Sequence, residues 1–164
     1  MQNQQKINNN NDIYDECVSD SGNRHYYKNQ LLHRDDDLPA VEYSNGDKHW
    51  YKDGKRHREN DLPSIEYSNG TKKWYKNGIL HREDDYAVEH SNGDKAWYKN
   101  GLLHRENGPA IEYSDGNKYY YLEGIQYIKE EYYEILKEID DLPLEIRLTH
   151  EYEWVRERAK KNGR

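Results

Sequence analysis

Aromatic and polar positions along this chain recur at a long, fixed interval rather than at the 3.6 or 2 residues of a single helix or strand. Tyr27, Tyr51, Tyr75, Tyr98 and Tyr121 lie 24, 24, 23 and 23 residues apart. Each follows another aromatic: Tyr26, Trp50, Trp74, Trp97 and Tyr120. Four positions before each of these stands a glycine: Gly22, Gly46, Gly70, Gly93 and Gly116. His33-Arg34, His57-Arg58, His81-Arg82 and His104-Arg105 keep the same interval, as do Glu42, Glu66, Glu89 and Glu112. Such a period marks a stacked array of small supersecondary units.

One copy, residues 40–63, reads AVEYSNGDKHWYKDGKRHRENDLP. Asn45-Gly46 and Asp53-Gly54 accept positive φ at both central positions of a type I′ turn. The other copies supply Asn69-Gly70, Asn77-Gly78, Asn92-Gly93, Asn100-Gly101 and Asp115-Gly116. These turns predict three short strands per unit, near 40–43, 48–52 and 55–58, in an antiparallel meander. Proline lacks the N–H of a central ladder, so Pro39, Pro63 and Pro109 belong in the links between units. The links at 83–86 and 106–109 are one residue shorter than those before them, which changes the period from 24 to 23.

The pattern changes at about residue 127. Ile128, Tyr132, Ile135, Leu136 and Ile139 fall on one helical face, and Asp140-Asp141-Leu142-Pro143 should end that helix. A second helix is predicted from about 150 to 160, with Thr149 as its N-cap and Asn162-Gly163 as its stop. Because a solenoid needs its end covered, 127–164 reads as a helical C-terminal cap. Residues 1–12, rich in Asn and Gln, read as a disordered tail. The expected fold is mainly β: an elongated antiparallel β-meander or solenoid of about five hairpin repeats over 13–126, capped by helices.

Composition narrows this picture. Hydrophobic residues are 33% and charged residues 35%, with no Phe but 17 Tyr and four Trp. That excludes a thick aliphatic core and predicts a thin sheet, with rings packed between Lys and Arg stems. Aromatics at fixed positions argue against general disorder. The net charge of -7 argues against a general binder of nucleic acid or anionic membrane. Cys17 is the single cysteine, so no intramolecular disulfide can form. No apolar run reaches transmembrane length, and the N-terminus lacks the apolar core of a signal peptide. A soluble, intracellular and non-secreted protein is expected.

Alternation over 48–52 places Lys48, Trp50 and Lys52 on one face and residues 49 and 51 on the other. Stacked units then predict a stripe of Tyr26, Trp50, Trp74, Trp97 and Tyr120, flanked by Arg24, Lys48, Lys72, Lys95 and Lys118. The stripe either holds the sheet together or forms an exposed aromatic-basic groove for a partner, as interface hot spots do. On the second reading, Trp50, Trp74, Trp97, Tyr120, Lys48, Lys72 and Lys95 touch the partner. His49, Lys73 and Tyr119, at a position that varies between units together with His25 and Ala96, tune specificity.

The His-Arg ladder is spread too widely for one metal ion, whose ligands lie at about 2 Å. A charge lattice with Asp35, Asp36, Asp37, Glu59 and the repeated glutamates is expected instead. No metal or cofactor is expected. Polar residues come in copies, whereas an active site gathers different residues at one place, so an enzyme is not expected. The leading expectation is a scaffold for protein–protein interaction. Nucleic-acid or nucleotide binding along the Lys/Trp stripe is one alternative. Self-assembly through sheet edges or the C-terminal helices is another.

The segments WYKNGILHRED (74–84) and WYKNGLLHRENGPAIEYSDG (97–116) resemble the repeats of MORN-like proteins, which are abundant in giant DNA viruses and occur in some phages and bacteria. The likeness spans about residues 17–126, and the N-terminal tail is similar to tails in amoeba-infecting giant viruses. It implies an elongated β-meander, no catalytic residue, and a virus-encoded protein acting in the host cytoplasm or viral factory on a host or viral protein. The chain departs from the YxGxWxxGxxxGxG pattern of MORN proteins proper, so their membrane binding is not implied.

Overall fold

A computed structural model describes residues 2–7, 13–142, 153, 155, 157 and 160. Strands β1 (Gln2–Ile7) and β2 (Ile13–Val18) open the sheet, followed by β3 (Arg24–Lys28) and β4 (Leu31–Leu32). The second unit contributes β5 (Val41–Glu42), β6 (Lys48–His49), β7 (Tyr51–Lys52) and β8 (Lys55–Arg56). The third repeats this as β9 (Ile65–Glu66), β10 (Lys72–Lys73), β11 (Tyr75–Lys76) and β12 (Ile79–Leu80). The fourth gives β13 (Val88–Glu89), β14 (Lys95–Ala96), β15 (Tyr98–Lys99) and β16 (Leu102–Leu103). Then β17 (Ile111–Glu112), β18 (Lys118–Leu122) and β19 (Ile125–Tyr127) lead into helix α1 (Lys129–Asp140).

The mainly β meander with a C-terminal helix is as expected, but the strand count per ladder is not. Only two strands per unit enter the long antiparallel sheet, which runs β3-β5-β6-β9-β10-β13-β14-β17-β18 through the repeats. The expected strand 48–52 divides at Trp50. Its first half pairs with β5 and β9, and its second half pairs with β8 in a separate hairpin. Trp50 belongs to both: its N–H donates to the Ser64 carbonyl at 2.9 Å and its carbonyl accepts the His57 N–H at 3.2 Å. Trp74 and Trp97 divide their strands in the same way, against Ala87 and His81, and Ala110 and His104; Tyr26 makes the same two bonds, to Ala40 and His33, inside the continuous β3.

The two sets of Asx-Gly turns differ. Asp53-Gly54 has φ of 50° and 77° and Asn77-Gly78 has 53° and 87°, as a type I′ turn requires. At Asn45-Gly46 only the glycine, at 95°, is left-handed. There Gly46 N–H bonds the Tyr43 carbonyl and Tyr43 N–H bonds the Asp47 carbonyl, a three-residue loop closed by a left-handed glycine. The Asn45 side chain accepts the Asp47 N–H at 3.0 Å, which holds Asn45 out of the positive-φ region.

Residues 2–7, expected as a disordered tail, form β1 and pair in register with β2 from Gln2↔Val18 to Ile7↔Ile13. Tyr132, Ile135 and Ile139 of α1 are buried with Tyr120, Leu122, Tyr127 and Val155. Ile128, expected on that face, is exposed, because it precedes the first helical turn in extended conformation. Of the second predicted helix, residues 153, 155, 157 and 160 are described and helical; Thr149, Asn162 and Gly163 lie outside the described residues. No helix among the described residues is long and apolar enough to cross a membrane.

Trp50, Trp74 and Trp97 are 6%, 7% and 9% exposed, so the repeat core rests on them. Trp74→Ala is expected to lower stability by about 3–5 kcal/mol, measured by urea unfolding. Lys72→Ala, on the exposed row beside it, should change stability by less than about 1 kcal/mol.

Candidate functional site

Directly opposed residues of the long sheet form two rows. Arg24, Glu42, Lys48, Glu66, Lys72, Glu89, Lys95, Glu112 and Lys118 stand opposite one another in sequence across one face. The charge alternates at every strand, so Lys48, Lys72 and Lys95 each lie between two glutamates. Opposite-charge cross-strand pairs stabilise a sheet, and they leave no basic stripe.

Around the tryptophans it is arginines, rather than the row of lysines, that meet the rings. Arg58 stacks on Trp50 with its guanidinium carbon 3.8 Å from the ring centroid, and Arg82 and Arg105 cover Trp74 and Trp97 at 4.3 and 3.7 Å. Trp50, Trp74, Trp97 and Tyr120 are buried. A cation over a desolvated indole is worth up to about 2 kcal/mol. Each arginine is fixed from the other side: Arg58 Nη1 donates to the Pro63 carbonyl at 3.2 Å and to Glu66 at 2.9 Å. Arg34 and Arg105 repeat this on Pro39 and Glu42, and on Pro109 and Glu112.

The expected charge lattice is present, and its geometry explains the histidines. Each type I′ turn donates two N–H groups to the preceding unit. Gly78 N–H bonds the Arg56 carbonyl at 2.8 Å, and Asn77 N–H bonds His57 Nδ1 at 3.1 Å. His33 and His81 receive Asp53 and Asn100 N–H in the same way, and His104 Nδ1 lies 3.2 Å from the Glu123 nitrogen and 3.1 Å from the Glu123 carboxylate. The opposite nitrogen of the ring reaches the link: His33 to Asp35 at 2.9 Å, His81 to Glu83 at 2.8 Å and His104 to Glu106 at 3.1 Å. The ladder couples one unit's turn to the previous unit's link. Among the described residues no group of three His, Cys, Asp or Glu is placed to hold a metal ion.

The opposite face carries the rings that remain partly open. His25, Val41, His49, Ile65, Lys73, Val88, Ala96, Ile111 and Tyr119 form its central row. Val41 and Ile65 are buried, and half-buried or exposed tyrosines flank the row. His49 is itself buried, edge-on between Tyr43 at 5.0 Å and Tyr67 at 5.9 Å. Burial, with Arg56 second, lowers its pKa. Lys73 lies 5.6 Å over the Tyr67 ring, and Tyr113 and Tyr119, 42% and 39% exposed, meet edge to face. Arg56 bridges Tyr51 and Tyr75 of successive hairpins at 5.6 and 5.5 Å. Of the variable set, Lys73 and Tyr119 are at the surface and His49 is not. Tyr43, Tyr51, Tyr67, Tyr75, Tyr98 and Tyr113 were not among the expected partner contacts. Their signal in the sequence is the same period that marks the tryptophans.

No protein-family model matches the chain, and no curated protein is significantly similar to it.

His104 gives the lattice a pH dependence. Burial alone would lower its pKa, but hydrogen bonds to Glu106 and Glu123 outweigh burial and raise it above the ordinary 6.5. The stability this imidazolium contributes is complete below pH 6.5 and is lost as pH rises through the raised folded value. Glu123→Gln should lower the His104 pKa, read by NMR titration of the ring. It should also reduce the fall in urea midpoint between about pH 6 and pH 9.

Proposed function

We propose that this chain is a non-catalytic repeat scaffold that holds a partner protein on its tyrosine face. The observation that carries this reading is a series of partly open phenol rings, one on each successive hairpin, from Tyr27 through Tyr51, Tyr75 and Tyr98 to Tyr121. Tyrosine supplies a large apolar area with few torsions to freeze and a hydroxyl that reaches a polar partner. The strand under each of Tyr51, Tyr75 and Tyr98 is paired within its hairpin, which fixes its backbone before binding and reduces the ordering entropy of association. Lys73, Ala96 and Tyr119 change the relief from one unit to the next, which suits discrimination between partners.

The non-catalytic part rests on the use of the candidate acid–base groups. His33, His57, His81 and His104 repeat one structural role in successive units rather than converging on one reacting atom. Nucleic-acid binding finds less support, because it needs open stacking rings beside uncompensated cations. Following the MORN-like resemblance, we infer a virus-encoded protein whose partner is a host or viral protein inside the cell.

The test combines affinity purification from the source cell with calorimetry on the purified partner. Tyr51→Ser, Tyr75→Ser and Tyr98→Ser together should abolish binding, each contributing about 2 kcal/mol, while the amide spectrum of the sheet is retained. A triple variant that keeps both its spectrum and its affinity excludes the tyrosine face.

A further inference from the structure

In the first two junctions between units, one aspartate of the preceding link fills the outer edge of the arginine. Asp37 accepts Arg58 Nε at 2.7 Å and Nη2 at 2.9 Å, and its main-chain carbonyl accepts the Trp50 indole N–H at 3.0 Å. Asp61 serves the next unit alike, accepting Arg82 Nε at 2.9 Å and Nη2 at 2.7 Å, with Trp74 Nε1 donating to its carbonyl at 2.9 Å. A single aspartyl residue satisfies both an indole and a guanidinium edge.

The junction before Arg105 lacks this residue. Asp36, Asp37, Asn60 and Asp61 hold left-handed φ of 61°, 55°, 60° and 54°, whereas the shorter link 83–86 has no such residue. Asp84 stands 21 residues before Arg105, as Asp37 and Asp61 stand before their arginines, but it makes no ion pair with it. Asp85 turns back on its own link, accepting the Tyr86 N–H at 2.8 Å. Among the described residues, Arg105 Nη2 and Trp97 Nε1 have no hydrogen-bond partner, and Arg105 Nε reaches only Asn107 at 3.2 Å. Trp97 is nevertheless only 9% exposed. The Arg105 side chain is 22% exposed, against 12% and 15% for Arg58 and Arg82. Trp97 and Arg105 line a cleft of about 380 Å³.

We propose that this cleft binds an aspartate residue of a partner polypeptide. The ligand's main-chain carbonyl accepts the Trp97 indole N–H, and its carboxylate accepts the Nε–Nη2 edge of Arg105. Stacking on Trp97 and the bonds to Pro109 and Glu112 hold the guanidinium ready for a two-pronged contact. The acids on the rim are Glu83, Asp84 and Glu106. Glu83 is paired with His81, and Glu106 with Lys99 and His104, which leaves Asp84 as the carboxylate opposing the ligand. The site is on the charged face and does not rest on the tyrosine-face reading.

The probe is acetyl-Asn-Asp-Leu-Pro-amide, the sequence of residues 60–63, titrated into the full ¹⁵N-labelled chain. Saturable shifts of the Trp97 indole and Arg105 Nε resonances are expected, with a Kd of about 1 mM. Acetyl-Asn-Asn-Leu-Pro-amide should give none. Arg105→Lys should weaken binding about tenfold, and Asp84→Asn should tighten it. Inserting one asparagine between Glu83 and Asp84 restores the longer link, supplies the aspartate from within the chain, and should abolish the shifts with the sheet spectrum intact. The proposal is overturned by absent saturation at about 10 mM, by an equal response to the Asn peptide or to sodium acetate, or by undiminished binding to the folded insertion variant.

Discussion

The main chain of one residue per unit faces two ladders at once. Trp50 donates its N–H across the long sheet to Ser64 and accepts the His57 N–H within its own hairpin. Its ring is buried beneath Arg58 at the same point. Buried main-chain groups must be paired, so sheet extension, hairpin closure and ring packing cannot vary separately. The residues that supply the accepting carbonyls, Ala40, Ser64, Ala87 and Ala110, are fully buried, which leaves no room for a larger side chain.

A chain this polar needs such a device. Its interior is a layer of single rings, each with a guanidinium on one side and a sheet on the other. The remaining polar groups are absorbed by bonds between units. The type I′ turn reaches back to a histidine, and the opposite turn does the same: Ser68 N–H bonds Asp47 at 2.7 Å and Ser114 N–H bonds Asp94 at 2.8 Å. At the C-terminal end the Tyr132 hydroxyl donates to the Arg105 carbonyl at 2.6 Å and accepts the Gly108 N–H at 3.1 Å. Helix α1 thereby closes the last link where a further unit would otherwise stack.

Much of this was legible in the periodicity. The repeat length, the hairpin turns at Asp53-Gly54 and Asn77-Gly78, the charge lattice and the helix over 129–140 follow from spacing and turn chemistry alone. The division of each strand at Trp50, Trp74 and Trp97 did not, because period-2 alternation is unchanged when a strand passes from one ladder to another. Nor does alternation say which face is covered. Trp50 with Lys48 and Lys52 around it reads equally as a groove or as a core, and the arginine that covers it lies eight residues on. The turn at Asn45-Gly46 misled because its side-chain bond to Asp47 N–H is invisible in a dipeptide. The strand at 2–7 was hidden by its Asn/Gln-rich composition, which carries no hydrophobic alternation.

Native-state hydrogen exchange at the shared residues tests the coupling most directly. If ring, sheet and hairpin form one cooperative unit, the amide protons of Trp50, Trp74 and Trp97 exchange only through global unfolding, together with those of His57, His81 and His104. Exchange of the three tryptophan amides as fast as that of the turn amides Gly46 and Gly70 would contradict it.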